Sequence, residues 1–346
     1  MAIKKYSGTL VRLATATALF VIGILFACVL TPATEALAQA KPSRTEAVYP
    51  NRPVRLIIPY APGGASDSVA RILAQKLAAA MGQNFIIDNR AGAAGTLGRD
   101  MVAKAVPDGY TLLIGDSTHT INPHVMRQVP YHAINDFDPI TLLATTPQAL
   151  VVNSGFEAPS LKDLIRLARA QPSTYNYGSG GSGSLTHLTG ELFKITVGAN
   201  LTHVSYKSIG IAITELIGNQ IHAAFPSLPG VVPHVRSGRL RALAVASAKR
   251  SSALPDAPTF EESGVSGMVV VNWVGVMAPA RMPKNVVSLL HAEVLKAVRA
   301  SDTQEKFAAA ALDVTTTTPE EFRAMLKSDF ERWGKVVKQA GIKPDE

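Results

Sequence analysis

The sequence predicts an α/β protein built of two lobes. Strand-like and helix-like segments alternate from residue 54 onward, which is typical of α/β folds with parallel sheets. About 306 of the 346 residues follow an N-terminal leader, and this is more than one compact core usually holds. Two glycine-rich loops, at residues 59–67 and 178–184, each stand between a strand and a helix. We therefore expect two lobes whose loops face each other across a crevice.

A signal peptide is predicted over residues 1–40. Three basic residues, Lys4, Lys5 and Arg12, precede an apolar run, and a small-residue segment then ends at Ala40. This tripartite pattern is typical of bacterial export to the periplasm. We expect cleavage after Ala40, with Ala38 as the alternative. The apolar run is also about as long as a bilayer is thick, so an uncleaved anchor is the other interpretation.

Composition and spacing exclude several kinds of chemistry. The one cysteine, Cys28, lies inside the leader in a poor lipoprotein context, so the mature chain has no thiol for disulfide or thiolate chemistry. The mature chain keeps 31 basic and 25 acidic residues, a net charge of +6, without a basic run that would indicate nucleic-acid binding. The eight histidines show no metal-ligand spacing, so we expect no metal.

The predicted elements follow in chain order. The strand-like runs are Val54–Ile58, Phe85–Ile87, Thr111–Ile114, Ala149–Val152, Ala242–Ala246 and Val269–Val276. Apolar spacing predicts a helix over 69–80 with Ser66 as its N-cap, another behind Ser160, and a last one that begins at Thr318. We place the first lobe at 48–147 and 270–346 and the second lobe at 148–269. The hinge would then lie near 147–149 and 269–272.

The first loop, residues 59–67, has the geometry of an anion site. Pro62 stiffens its entry, and Gly63 and Gly64 leave room for a ligand to approach the backbone. The helix behind the loop aims unpaired N–H groups and the positive end of its dipole into the crevice, which suits a carboxylate or a phosphate. An ordinary strand-to-helix turn is the alternative. Asp67 is interpreted as structural rather than as a ligand contact.

The second loop matches the dinucleotide fingerprint G-x-G-x-x-G at Gly178–Gly183, but we do not interpret it as a cofactor site. A Rossmann site requires an acidic residue about 20 residues further on, and the interval 192–214 contains none. No cofactor is expected. The loop is instead predicted to be an anion nest formed by N–H groups and the hydroxyls of Ser179, Ser182 and Ser184. His187, in the helix that follows, is interpreted as a packing or hydrogen-bonding group.

A third candidate region follows the strand Thr111–Ile114. His119 and Asn122 come at this strand end, which is the edge where ligands bind in open α/β sheets.

An exported hydrolase that uses Ser179 or Ser182 with His187 is a rival interpretation. It lacks the G-x-S-x-G elbow and an identifiable third group.

The chain closely resembles the Bug family, the TctC-like solute receptors of tripartite tricarboxylate transporters, over nearly all of the mature chain. The landmarks of this resemblance are Pro59-Tyr60-Ala61-Pro62-Gly63-Gly64-Ala65-Ser66-Asp67, Asp88-Asn89-Arg90-Ala91-Gly92-Ala93-Ala94-Gly95, Pro107-Asp108-Gly109-Tyr110, Tyr177-Gly178-Ser179-Gly180-Gly181-Ser182-Gly183, Ser237-Gly238-Arg239-Leu240-Arg241-Ala242 and Leu254-Pro255-Asp256-Ala257-Pro258-Thr259. Each motif is weak alone, and their order is specific.

The resemblance implies a periplasmic Venus-flytrap fold (type II-like) that closes on a carboxylated solute. It implies delivery to a membrane permease of two subunits, no enzymatic activity and a monomer. A sensory receptor with the same trap, which signals to a membrane protein, is the alternative. The implied ligand contacts are Tyr60, Ala61, Pro62, Gly63, Gly64, Ser66, Ser117, Thr118, His119, Thr120, Ser179, Gly180, Gly181, Ser182, Tyr206 and Phe225.

The chain departs from the family pattern at two places. Residues 205–210 read Ser-Tyr-Lys-Ser-Ile-Gly where the family usually has Pro-Tyr-Lys-Gly, and Pro226 and Ser227 follow Phe225 where an aspartate is common. The missing acid favours a mono- or dicarboxylate, aliphatic or aromatic, over an amino acid.

Overall fold

The computed structural model describes residues 49–344. The predicted signal peptide, its cleavage site and Cys28 therefore lie outside the described residues. Among the described residues, no helix is long and apolar enough to cross a membrane.

The strands form two separate sheets. In chain order they are β1 (Val54–Ile58), β2 (Phe85–Asn89), β3 (Thr111–Asp116), β4 (Phe137–Pro147), β5 (Ala149–Asn153), β6 (Asn176–Ser179), β7 (Thr202–Ser205), β8 (Ala223–Ala224), β9 (Leu240–Val245), β10 (Val271–Pro279) and β11 (Asp313–Val314). The first sheet has the order β11-β4-β10-β3-β1-β2, and the second has the order β7-β6-β8-β5-β9.

Helices connect most of these strands. They are α1 (Ala65–Met81), α2 (Thr96–Ala103), α3 (Thr118–Val125), α4 (Leu161–Ala170), α5 (Leu185–Val197), α6 (Ile209–Ile217), α7 (Leu228–Arg236), α8 (Lys284–Arg299), α9 (Ser301–Ala309) and α10 (Pro319–Gln339). A short 3-10 turn, Ala93–Gly95, leads into α2. The predicted start of the last helix is confirmed, because the side chain of Thr318 and that of Glu321 cap it reciprocally.

Both sheets are mixed, which corrects the expectation of parallel sheets. In the first sheet β1 is parallel to β2 and β3, but β10 runs antiparallel to β3 and β4. In the second sheet β6 is parallel to β7 and β8, whereas β5 is antiparallel to β8 and β9. The longest strand, β4, was not predicted, because it is buried on both faces and so lacks polar alternation.

The chain crosses between the sheets at two adjacent segments. Gln148 separates β4 from β5, and Val270 directly precedes β10. The N–H of Gln148 donates to the carbonyl of Val270 (3.0 Å), and the carbonyl of Gln148 accepts from Ala246 (2.8 Å). The two crossing segments therefore support each other through backbone hydrogen bonds, as in a short ladder.

The C-terminal helix α10 joins the cores of both sheets. Near its start, Phe322 and Leu326 lie in a core cluster with β3 and β10 residues of the first sheet. Near its end, Trp333 and Val336 lie in the core cluster that covers the second sheet. One helix thus contributes buried side chains to both lobes.

The predicted fold class is confirmed as a two-lobed α/β protein with a hinge between the lobes. The exact boundaries, 48–147 with 270–346 and 148–269, stay a prediction. Helix α10 is relevant to these boundaries. It lies in the segment assigned to the first lobe, but its end packs with the second sheet.

We predict that Gly190→Ala destabilises the protein. Gly190 lies in α5, and a Cβ there would come within 2.2 Å of the Tyr177 ring. The tyrosine is held in place, since it is buried and its hydroxyl donates to Glu191 at 2.7 Å. Overpacking of this kind costs about 1–3 kcal/mol, and chemical unfolding would measure the loss.

Gly210→Ala is the matched control. Gly210 lies in α6, where a Cβ would meet only the Ser208 hydroxyl, at 3.8 Å. This substitution should stabilise the protein by about 0.5–1 kcal/mol, because alanine loses less backbone entropy than glycine. Equal stability changes in the two variants would contradict the close packing of α5 on β6.

Candidate functional site

The first loop connects β1 to α1 and ends in a helix start without a side-chain cap. Helix α1 begins at Ala65, and Gly64 is its N-cap, with φ −79° and ψ 173°. The prediction of Ser66 as the N-cap is therefore wrong; Ser66 lies in the first turn and is buried. Gly64 takes the cap position because its extended backbone lets its carbonyl accept from Ser68 (3.0 Å). The N–H groups of the first turn have no acceptor within the helix.

Asp67 holds the first loop in shape, as predicted. One carboxylate oxygen accepts from the N–H of Gly63 (3.1 Å) and from Arg71 (2.9 Å), and the other accepts from the amide of Asn89 (3.0 Å). Asn89 also donates to the carbonyl of Tyr60 (3.0 Å). Burial opposes ionisation, but these hydrogen bonds hold the pKa of Asp67 below its ordinary value.

A buried arginine lies behind the loop. Arg99 of α2 is fully buried, and its Nη2 lies 2.7 Å from Asp116 Oδ1, 3.0 Å from the Tyr60 hydroxyl and 2.6 Å from Thr118 Oγ1. The Tyr60 hydroxyl also lies 3.0 Å from Asp116 Oδ1 and 2.6 Å from Thr118 Oγ1. The sequence alone does not predict a buried arginine here. Because Asp116 offsets its charge, Arg99 fixes the two hydroxyl groups without adding a net charge.

A strained turn stands beside this cluster. Four consecutive residues have positive φ, namely Gly92 (142°), Ala93 (44°), Ala94 (51°) and Gly95 (85°). The left-handed conformation costs an alanine roughly 1–2 kcal/mol. The carbonyl of Ala94 accepts from Arg99 Nη1 (3.1 Å) and from the Asn122 amide (2.9 Å), and these bonds hold the turn. Strain that the surroundings maintain is typical of functional sites.

The second loop is not the open anion nest that we predicted. Each N–H from Gly180 to Gly183 already donates to a side chain of the same lobe; in chain order the acceptors are Thr186 Oγ1 (2.9 Å), Ser179 Oγ (3.2 Å), Ser205 Oγ (3.1 Å) and His187 Nδ1 (3.0 Å). A ligand would therefore meet hydroxyl groups here rather than a set of free N–H groups.

Two stacked histidines support the second loop. The rings of His187 and His203 are 3.8 Å apart and nearly parallel. Ser179 Oγ lies 2.7 Å from His203 Nε2, and burial together with His187 lowers the pKa of His203 to about 4. Ser179 thus contacts His203 rather than His187, and it is fully buried. This arrangement gives no support to a hydrolase that uses Ser179, since this serine is buried and bonded to the other histidine.

A cavity of about 560 Å³ lies between these elements, which is within the usual size range of small-molecule sites. The first-lobe segments supply Tyr60, Ala93, Ala94, Thr118, Asn122 and residues 125–128. The second loop supplies Gly180 and residues 182–184. Of the predicted ligand contacts, the structure therefore brings four to this cavity, namely Tyr60, Thr118, Gly180 and Ser182.

Several other predicted contacts lie next to the cavity but do not line it. Ala61, Pro62, Gly63 and Gly64 are exposed in the first loop. Gly181 and Tyr206 are partly buried in the second lobe, and the Tyr206 ring packs with the core of that lobe.

The remaining six predicted contacts are buried, and one of them, Ser66, lies in the first turn of α1. Ser117 Oγ accepts from the N–H of Trp273 (3.0 Å), and Thr120 Oγ1 donates to the Ser117 carbonyl (3.1 Å). His119 stacks on Tyr131, meets Phe137 edge-on and bonds the Ala133 carbonyl. The last two are Ser179, described above, and Phe225, which is fully buried in the second core. The structure does not bring these side chains to the cavity.

Sequence reasoning missed part of the cavity wall. Ala93 and Ala94 were noted only as a family landmark, and Asn122 only as a strand-end residue. Residues 125–128, at the end of α3 and directly after it, were not predicted as contacts, although they continue from the strand-end edge where ligands were expected. Among the described residues, no group of three or more histidine, cysteine, aspartate or glutamate side chains is arranged to hold a metal.

Two lobes that are joined by crossing strands and enclose a cavity define a two-lobed solute-binding protein. Residues 69–342 match the model of the family described as "Tripartite tricarboxylate transporter family receptor" (TctC), and the chain belongs to this family. The predicted relationship is confirmed. The receptors of this family bind solutes rather than catalyse reactions.

Related proteins span nearly the whole chain. BugT of Bordetella pertussis is 36% identical over 297 residues, which cover 85% of this chain and 91% of BugT. A solved structure described as "R. palustris Rpa4515 with adipate" is 34% identical with a TM-score of 0.74, and covers 86% of this chain and all of that one. MatC from Rhodopseudomonas palustris with bound malate is 29% identical with a TM-score of 0.71, and covers 84% of this chain and all of that one.

We predict that His119 makes the protein less stable in mild acid. Burial, with the nearby Arg99 charge, lowers the pKa of His119 to about 3 in the folded protein, from 6.5 in the unfolded chain. The unfolded chain therefore binds more protons between these values, so stability present above pH 6.5 is lost as the pH falls toward 3. His119→Gln should reduce the loss between pH 7 and pH 5 by about 1–2 kcal/mol.

Urea unfolding at both pH values would measure this difference, and His132→Gln is the control because His132 is exposed. The comparison is between the pH dependences, so an overall loss of stability in His119→Gln does not affect it. An unchanged pH dependence in His119→Gln would contradict the buried, neutral state of this histidine.

Proposed function

We propose that the protein is a periplasmic receptor that captures a small organic carboxylate between its lobes and delivers it to a membrane permease. The observation that carries the proposal is the cavity, where hydroxyl groups held by Arg99 on one side face the second loop on the other. Two relatives of the same fold hold adipate and malate, which are both carboxylates.

Hydrogen-bond donors and the α1 N-terminus would stabilise the anion. Burial raises the pKa of Tyr60 above its ordinary value, so its hydroxyl stays protonated and can donate. The first turn of α1 adds N–H groups and about half a positive charge from the helix dipole. Dipolar groups of this kind avoid the full desolvation cost of a buried ion pair, which suits a protein that must also release its ligand.

Capture would involve closure of the lobes about the crossing segments near 147–149 and 269–272. A ligand that contacts both lobes binds the closed state better than the open state, and so shifts the equilibrium toward closure. We propose that the protein acts as a monomer and is exported through cleavage near Ala40. A two-subunit membrane permease is the proposed partner of the closed form.

Thermal unfolding against a panel of acids tests the proposal. Protein exported with its own leader, purified from the periplasm and freed of ligand, is heated with mono-, di- and tricarboxylates, aromatic acids and amino acids. A ligand at 100 times its Kd stabilises by about 2.7 kcal/mol, which is a shift of several degrees in Tm at this size. No shift with any carboxylate would overturn the proposal.

We predict that Gly64→Val abolishes binding of the carboxylate found by this panel without loss of folding. A Cβ at Gly64 has no neighbour within 4 Å, and φ of −79° suits valine, so the fold should tolerate the change. The branched side chain would stand at the uncapped start of α1, where the carboxylate approaches.

Isothermal titration calorimetry would measure this loss, and Gly210→Val is the control. Gly210 also lies in open space at a helix start, but it belongs to α6 and not to the first loop. Unchanged affinity in Gly64→Val would mean that the first loop acts only as scaffold.

A further inference from the structure

The second loop meets the first lobe at Gly183. A Cβ on Gly183 would come within 2.9 Å of the Val125 side chain, which lies at the end of α3. Gly183 also lines the cavity, and its φ of 72° is a left-handed conformation that glycine adopts without strain. The position of this residue therefore shapes the cavity wall and sets how closely α3 approaches the loop.

The first turn of α5 holds Gly183 through a variant of the capping box. Ser184 is the N-cap of α5, and its Oγ accepts from the His187 N–H (3.2 Å). In return, His187 Nδ1 accepts from the Gly183 N–H (3.0 Å). In an ordinary capping box a glutamate or glutamine three residues after the cap bonds the N–H of the cap itself. Here a histidine takes that place, and its bond reaches one residue further back, into the loop.

Neighbouring side chains hold the His187 ring in this orientation. The ring is buried and stacks on that of His203 at 3.8 Å. Its Nε2 lies 3.9 Å from a carboxylate oxygen of Glu191. The same oxygen accepts from the Tyr177 hydroxyl (2.7 Å) and from Lys194 (2.9 Å), so the carboxylate is fixed. A carboxylate on this side favours a proton on Nε2, which leaves Nδ1 as the acceptor of the neutral imidazole.

The Gly183 N–H is buried and depends on this acceptor. A buried N–H without an acceptor is unfavourable, so loss of the acceptor would shift the loop toward shapes in which this group meets water. A carboxylate would then bind only those molecules whose loop keeps the present shape. The apparent affinity would fall in proportion to that fraction.

We propose that His187 is the positioning residue of the second loop: its Nδ1 holds the Gly183 N–H, and this bond keeps the loop in the shape that binds the carboxylate. The inference rests on the proposed function, in which the carboxylate is captured against this loop. His187 acts through Gly183 and takes no direct part in binding.

Two substitutions separate the hydrogen bond from packing. His187→Phe keeps a ring to stack on His203 but has no acceptor, whereas His187→Asn places an oxygen at the position of Nδ1. Isothermal titration calorimetry uses adipate, or the panel acid that shifts Tm most if adipate does not bind. Affinity should be about 10- to 100-fold weaker in His187→Phe, the range for a buried N–H that loses its acceptor. In His187→Asn it should stay within about 3-fold of the wild type, because the acceptor is restored.

A measurement on the ligand-free wild-type protein tests the bond itself. Long-range proton–nitrogen NMR spectra near neutral pH distinguish the two tautomers of a neutral imidazole. The signals of His187 are those absent from the spectrum of His187→Asn. They should show the proton on Nε2, and a proton on Nδ1 would overturn the inference even if His187→Phe does not fold.

His222→Phe is the matched control. His222 Nδ1 accepts from the Asn176 N–H (3.2 Å), at the opposite end of β6 from the second loop. The ring packs edge-on against Phe156 and Tyr175, which a phenylalanine ring also suits. This variant loses the same kind of bond, so urea unfolding should show a loss of stability similar to that of His187→Phe. Its affinity should equal that of the wild type.

Each other result has a distinct meaning. Unchanged affinity in His187→Phe, an equal loss in His222→Phe, or no recovery in His187→Asn overturns the positioning role and leaves the carboxylate receptor standing. Tighter binding in His187→Phe also overturns it, since the released N–H would then serve the carboxylate directly. Failure of every carboxylate in the panel overturns the proposed function and this inference with it.

Discussion

The ion pair between Arg99 and Asp116 is the interaction on which the first-lobe side of the cavity depends. It joins α2 to the end of β3, and the same guanidinium contacts the hydroxyls of Tyr60 and Thr118 and the carbonyl of Ala94. Loss of one member of such a buried pair costs about 3–5 kcal/mol, because the other charge is left uncompensated. The first loop, the strained turn and the start of α3 are therefore set by one buried guanidinium, whose charge Asp116 offsets.

Local sequence patterns predicted the elements that carry strong local signals. The apolar run of β1 and the Thr318 capping box both form as expected, because each depends on residues that are neighbours in the chain. Strand β4 gave no such signal. It contains Pro139 and ends at Pro147, and it is buried between β10 and β11, so neither alternation nor turn residues marked it.

The site was harder to predict than the fold, because its chemistry depends on contacts distant in sequence. The composition of the second loop indicated an anion nest, but the Ser182 N–H of this loop donates to Ser205, which lies on the next strand. His119 follows a strand end, as a ligand contact would, yet its ring points into the core between Tyr131 and Phe137. Arg99 belongs to no sequence motif, and its role follows from its contacts with buried Asp116 and partly buried Tyr60.

Helix α10 limits how the lobes can move. Arg332 donates to the carbonyl of Val269 (2.7 Å), and Asp329 accepts from the indole of Trp273 (3.2 Å), so the helix holds one crossing segment on both sides of Val270. Trp333, one residue on, is buried with the second core. A rotation that separated this core from α10 would expose the Trp333 indole and break the hydrogen bonds of Arg332 and Asp329. The exposed apolar surface alone would cost roughly 1.5–3 kcal/mol. Opening is therefore least costly about an axis near α10 and the crossing segments, so that the movement is largest on the side away from them.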